Sequence, residues 1–209
     1  MAENSILTKT EIIIQDYNDN SPVVFSNLSL NETLINVNNF AFSLRPVDTN
    51  GSFNAILDFK KKVLGKNVQI DFKDGEGNSN HKFNGIILEV NSFLVDNQYY
   101  EFNITGQGLF CKVNEIAECH SFYKKKLTDI IDTSFEKSNL KDKVNNDPQT
   151  TRELHYTVQY NQTLFSFVSN LAIRFGEWMF YDGEKLQFGK KPDGDEIELK
   201  SPNDVNNLN

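Results

Sequence analysis

The stretch Tyr156-Thr157-Val158-Gln159-Tyr160-Asn161-Gln162-Thr163, then Leu164 to Phe175, then Gly176-Glu177-Trp178-Met179-Phe180-Tyr181, decides the reading of this 209-residue chain. Leu154, Tyr156, Val158 and Tyr160 alternate with His155, Thr157 and Gln159, the period of a strand. Leu164, Phe167, Val168, Leu171 and Phe175 recur at i, i+3, i+4, i+7 and i+11, the stripe of an amphipathic helix over 163–175. Asn161 or Thr163 is placed to cap it, and Gly176 to end it in left-handed geometry. Trp178–Tyr181, an Asp182-Gly183 turn and Lys185–Phe188 read as a hairpin. The order is β-α-β-β in about 40 residues, too few for a core of its own, so the block is expected to pack on a neighbour.

Upstream, residues 139–153 are polar, contain Pro148 and read as a linker. They separate a small domain at 154–209 from a larger one at 1–138. The larger one reads mostly as strands. Ile12 and Ile14 share a face, as do Phe40, Phe42 and Leu44. Ile35 and Val37 sit in the opposite phase, so a bulge or strand break is expected near Asn38-Asn39. Val68, Ile70 and Phe72 alternate with Gln69 and Asp71, and Tyr100, Phe102 and Ile104 with Glu101, Asn103 and Thr105. Between them Ile86, Leu88 and Val90 face one way and Phe83 and Ile87 the other, as in a central strand of a barrel or sandwich.

Two helices belong to this domain. One is predicted near 53–64, capped by Ser52, with Phe53, Ile56, Leu57 and Lys60 on one face and Gly65 at its end. The other is predicted near 124–137, with Leu127, Ile130, Ile131 and Ser134 at helical spacing. The runs Lys60–Lys62 and Lys124–Lys126 fall at helix ends and read as solvated faces. The fold class is therefore mainly β with a few helices, a barrel-like domain followed by a small β-α-β-β domain.

Composition narrows the function. Net charge is −8, which argues against a protein built to grip phosphate backbones. No apolar run reaches the roughly 18 residues of a membrane span, and the N-terminus has no signal-peptide pattern. Cys111 and Cys119 cannot make a disulfide framework and read as reduced thiols. His81, His120 and His155 share no metal-ligand spacing. Gly106-Gln107-Gly108 reads as a bulge or turn rather than a phosphate cradle. No catalytic residue, cofactor site or metal site is assigned, and a cell-wall hydrolase has no paired carboxylates to support it. Asp16-Tyr17-Asn18-Asp19-Asn20-Ser21-Pro22 resembles the calcium-binding linker of cadherin repeats, which would make a calcium-dependent adhesion module. It has no second copy, and a polar turn is the simpler reading. The tail after Pro192 is acidic and Asn-rich and makes no natural end to a fold, so the chain reads as the front part of a longer protein.

The block from Tyr156 to Tyr181 resembles VgrG, the valine–glycine repeat spike family of type VI secretion systems. The family pattern is roughly Y-x-V-Q-Y-x-E-S/T, a helix with F-[LV]-x-x-L, and a glycine followed by aromatics. Gln162 stands where the family usually has Glu. Leu64-Gly65-Lys66, Gly85-Ile86-Ile87 with Val90, and Leu127-Thr128-Asp129-Ile130-Ile131 follow in the same order. The resemblance implies the hub portion of a contractile injection machine, without its triple-stranded spike. Homotrimerisation of the full-length protein is implied too, as are contacts with the tube protein Hcp, with baseplate components, and with an effector or spike-tip protein. It implies assembly in the cytoplasm followed by secretion or injection, no nucleic-acid partner and no stable membrane insertion. A phage-tail or extracellular injection-system baseplate hub is the neighbouring alternative.

Overall fold

The computed structural model describes residues 9–34, 36–45, 53–96 and 99–191. Its first elements are β1 (Lys9–Ile14), β2 (Phe25–Asn31), β3 (Asn39–Leu44), α1 (Phe53–Val63), β4 (Asn67–Lys73), β5 (Ser79–Val95) and β6 (Tyr99–Gly108). There follow β7 (Ala117–Lys126), α2 (Leu127–Phe135), β8 (Val144–Asp147), β9 (Glu153–Thr163), α3 (Leu164–Phe175), β10 (Trp178–Tyr181) and β11 (Leu186–Gly189). The main sheet is antiparallel with order β1-β4-β5-β6-β3-β2. It curls as a half-barrel. Leu28 and Leu30 near one edge border the same hollow as Phe72 and His81 of the β4–β5 hairpin, and His81 Nε2 lies 2.9 Å from Glu32 Oε2. The fold is mainly β, with three α-helices among the described residues, as the periodicities predict.

The alternations set which side chains go inside. Ile12, Ile14, Phe42, Ile70, Phe102 and Ile104 are fully buried on the concave side. β5 is central, as its two-sided apolar character predicts, but a bulge produces that character. Ile87 pairs with Gly106 and Glu89 with Thr105, so Leu88 is the extra residue and is exposed. The bulge changes the phase, so that Phe83, Ile87 and Val90 all enter one core. Gly106 lies within β6, where a Cβ would stand 2.4 Å from the Phe40 ring. It is a seat for that ring, and the bulge expected there sits on the partner strand instead. Near Asn38 the strand does break: β3 starts at Asn39, and the buried Asn38 side chain accepts the Thr33 N–H at 2.9 Å. Ile35 and Ser52 lie outside the described residues.

α1 presents a different face from the one predicted. Ile56, Phe59 and Val63 are buried, while Phe53 is 75% exposed and Leu57 is exposed. Phe59 fixes the rotation, because its ring packs 4.4 Å from that of Phe102 in β6. Gly65 ends the helix at φ +75°, as predicted. α2 starts at Leu127 rather than 124, because Lys124–Lys126 continue β7. Those lysines therefore precede a helix N-terminus, opposite to the end the dipole favours.

The C-terminal elements make two further sheets. β10, β11 and β8 form one, with β8 parallel to β11. β8 falls inside the segment read as a polar linker, and the buried Glu177 carboxylate accepts the N–H groups of Gln149 and Thr150 at 2.9 and 2.8 Å. β7 and β9 form a separate two-stranded ribbon. α3 runs from Leu164 to Phe175, capped by the Thr163 hydroxyl and closed by Gly176 at φ +69°. It buries Phe165 and Ala172 as well as Phe167, Val168 and Leu171. Tyr181 joins these elements to the half-barrel. Its ring lies edge-on to Phe83 at 5.7 Å and to Phe110 at 5.5 Å, and Phe110 meets Phe135 at 6.0 Å. Residues 192–209 of the predicted small domain lie outside the described residues.

Candidate functional site

The groups that could carry chemistry lie apart. His81 pairs with Glu32, His120 Nε2 lies 3.0 Å from Glu118 Oε2, and His155 packs edge-on against Tyr123. Cys111 is buried, and burial pushes its thiol above the ordinary range; Cys119 is exposed and accepts the Asn161 N–H at 3.3 Å. Among the described residues no three His, Cys, Asp or Glu side chains are grouped to hold a metal ion. In the Asp16–Asn20 turn, Asp16, Asn18, Asp19 and Asn20 all have positive φ, which Asn and Asp tolerate best. The Asp16 carboxylate is engaged by Lys66 Nζ at 2.7 Å, and Asn20 Oδ1 accepts the Asp16 N–H at 2.9 Å.

What the fold leaves open is the β7–β9 ribbon. Tyr123 stands opposite Tyr156, and Ser121 opposite Val158, on one face. Phe122 stands opposite Thr157 on the other. The inner face is the Phe122–Thr157 side: the Phe122 ring stacks on Phe167 of α3 at 6.0 Å, and Thr157 and Gln159 are buried. Of the apolar set of β9, Tyr156, Val158 and Tyr160 therefore point outward, while Leu154 is buried. Tyr156 is 60% and Tyr160 74% exposed, and Tyr123 and Val158 are exposed beside them. A buried tyrosine removes about 150–250 Å² from water, so the three rings leave a patch on the order of 400 Å² uncovered, the size at which exposed apolar surface usually marks a contact. Sequence alternation finds the strand and its two faces. It does not tell which face the helix behind it will cover. β7 carries no alternation beyond Phe122 and Tyr123, and was not legible as a strand.

The pattern of the phage tail baseplate hub (GPD) family matches residues 34–202. The chain belongs to this family. Its hub region is 26% identical over 123 residues to the type VI secretion system spike protein VgrG1b of Pseudomonas aeruginosa, which is 59% of this chain and 16% of that protein. The hub chain thus spans a minor part of that relative's length. Among solved structures it is similar to the E. coli c3393 protein, a type VI secretion component with structural similarity to T4 bacteriophage tail proteins gp27 and gp5. The TM-score is 0.65 at 13% identity, over 86% of this chain and 48% of that one. It is also similar to the 43 kDa tail protein of prophage MuSo2 from Shewanella oneidensis, with TM-score 0.63 at 13% identity, over 87% of this chain and 54% of that one. The fold is that of VgrG-like and phage-tail hubs. Among the described residues no helix is long and apolar enough to cross a membrane.

Proposed function

We propose that this chain is the structural hub region of a type VI secretion spike protein. In the full-length protein it would assemble as a homotrimer that couples an Hcp tube and the baseplate to a puncturing spike and its effector or tip protein. The work is mechanical rather than catalytic, done by packing surfaces, and the protein is assembled in the cytoplasm before being secreted or injected. The observation that carries this reading is the hub-family match over 34–202 together with a VgrG spike protein among its relatives. The outward tyrosine face of the β7–β9 ribbon supports it, since a hub needs side surfaces that copies can bury.

The test is light scattering on the full-length protein, with and without Tyr156→Glu and Tyr160→Glu together. A trimeric mass is expected for the parent, and a shift toward monomer with an unchanged far-UV dichroism spectrum for the variant. A stable monomer or dimer of the parent would reject the hub reading. The likeness to the MuSo2 tail protein supports a phage-tail hub nearly as well in fold terms. Neighbouring genes for a contractile sheath and secretion ATPase, or for capsid and tail-fibre proteins, distinguish the two.

A further inference from the structure

β7 pairs with β9 along its length, and no other described strand pairs with it. A groove of about 640 Å³ runs beside it. Glu118, His120, Phe122 and also Ser121, Tyr123 and Lys125 line that groove, while β9 contributes Gln159. Successive side chains of a strand point to opposite faces. A groove bordered by both sets from one strand therefore lies along that strand's edge, not over a face. Its far wall is the end of α2 and the loop from Glu136 to Leu140, and Val113, Ile116 and Leu164 supply apolar lining. Ile116 is 72% exposed, an apolar side chain with nothing over it among the described residues.

A free strand edge carries backbone N–H and C=O groups that must be paired with something, and a second chain that lies alongside can pair them. Lys112, Lys125 and Lys137 also border the groove, and none of them makes an ion pair among the described residues. The lining carboxylates are Glu118, which hydrogen-bonds His120, and Glu136, so three lysines face two carboxylates. The groove thus carries a small excess of positive charge in a chain of net charge −8. We propose that it binds an extended segment of a partner protein as a third strand beside β7, a segment in which apolar side chains alternate with carboxylates. The apolar set would sit over Val113, Ile116 and Leu164, and the carboxylates would meet Lys112, Lys125 and Lys137. Backbone pairing supplies affinity and the alternate side chains supply selection. This site borders the tyrosine face used in the trimer proposal through Ser121 and Tyr123, but Tyr156 and Tyr160, the residues changed in that test, do not line it, so the two tests are separable.

The probe is a capped ten-residue peptide of alternating glutamate and valine, added to the intact chain, with the lysine–valine peptide as control. Binding is followed by calorimetry and by amide exchange over residues 117–126. The acidic peptide is expected to bind and to slow, by tenfold or more, the β7 amides that are not bonded to β9. Lys125→Glu with Lys137→Glu should weaken binding at least tenfold, and Ile116→Asp should weaken it as well. Both are surface changes that leave the fold intact, and Tyr156→Glu on the outer face should leave binding unchanged. Absence of binding at millimolar peptide, equal binding of the two peptides, or unchanged β7 exchange at saturation would overturn the proposal. So would β7 protection that rises with protein concentration in the chain alone, which would mean that a second copy occupies the edge.

Discussion

Gly183 shows how a single residue can hold two parts of the molecule together. Its carbonyl accepts the Asn84 N–H at 2.7 Å, the Asn84 side-chain amide at 3.0 Å and the Tyr181 hydroxyl at 2.6 Å. The tip of the β10–β11 hairpin is thereby fixed to β5. A Cβ on Gly183 would stand 1.8 Å from the Lys82 carbonyl oxygen, and its φ is +96°. Gly65 also has positive φ, at +75°, but nothing lies within 4 Å of its Cβ position. The pair separates backbone strain from lost docking. Gly65→Ala should cost about 1–2 kcal/mol, the left-handed backbone cost alone. Gly183→Ala adds the collision and the loss of several hydrogen bonds worth about 0.5–1.5 kcal/mol each, so it should cost about 3 kcal/mol or more. Urea-denaturation midpoints measure both; equal costs would mean that the hairpin tip is not a structural attachment. From sequence, Asp182-Gly183 is legible as a turn, but its target on β5, 99 residues earlier, is not.

At the scale of elements, local periodicity served well where one face is covered by something near in sequence. α3 is the clear case: its cap, its stop and its stripe all follow from residues 163–176. It failed where a distant partner decides. β9 is found by alternation, but α3 and Phe122 cover its polar-looking side, so Thr157 and Gln159 are buried and the tyrosines exposed. β8 is a four-residue strand whose partner, β11, lies some 40 residues on, and its polar sequence Val144-Asn145-Asn146-Asp147 has no apolar signal. α3 itself makes a sharp test. Leu171 is 3% exposed at the middle of the stripe, while Asn170 faces solvent. Leu171→Asp loses about 1.5–3 kcal/mol of burial and adds the cost of burying a charge, a sum comparable to the stability of a small domain. Asn170→Asp should shift the denaturation midpoint little. Equal behaviour of the two variants would mean that the stripe does not seat the helix.

Across the whole molecule, the polar run at 139–153 suggests a boundary between two folding units, whereas the aromatic contacts suggest one. Phe40, Phe83, Tyr181, Phe110 and Phe135 touch in succession from the half-barrel to α2. The buried apolar side chains on both sides of the linker belong to one cluster. A continuous core predicts one cooperative transition. Trp178, the only tryptophan, lies in β10 and reports on the C-terminal elements, while far-UV dichroism is dominated by the strands of the half-barrel. The two probes should give coincident midpoints. Phe110 is 1% exposed and bridges Tyr181 to Phe135. Phe110→Ala should therefore cost about 3–5 kcal/mol and lower both midpoints together, by roughly 10 °C for a chain of this size. If Trp178 fluorescence instead melts first while the dichroism midpoint stays where it was, the linker is a true folding boundary and the aromatic run is a docking contact between two domains. The proposed hub role favours the first arrangement, because a load applied to the C-terminal elements would then be resisted by the whole core rather than by one seam.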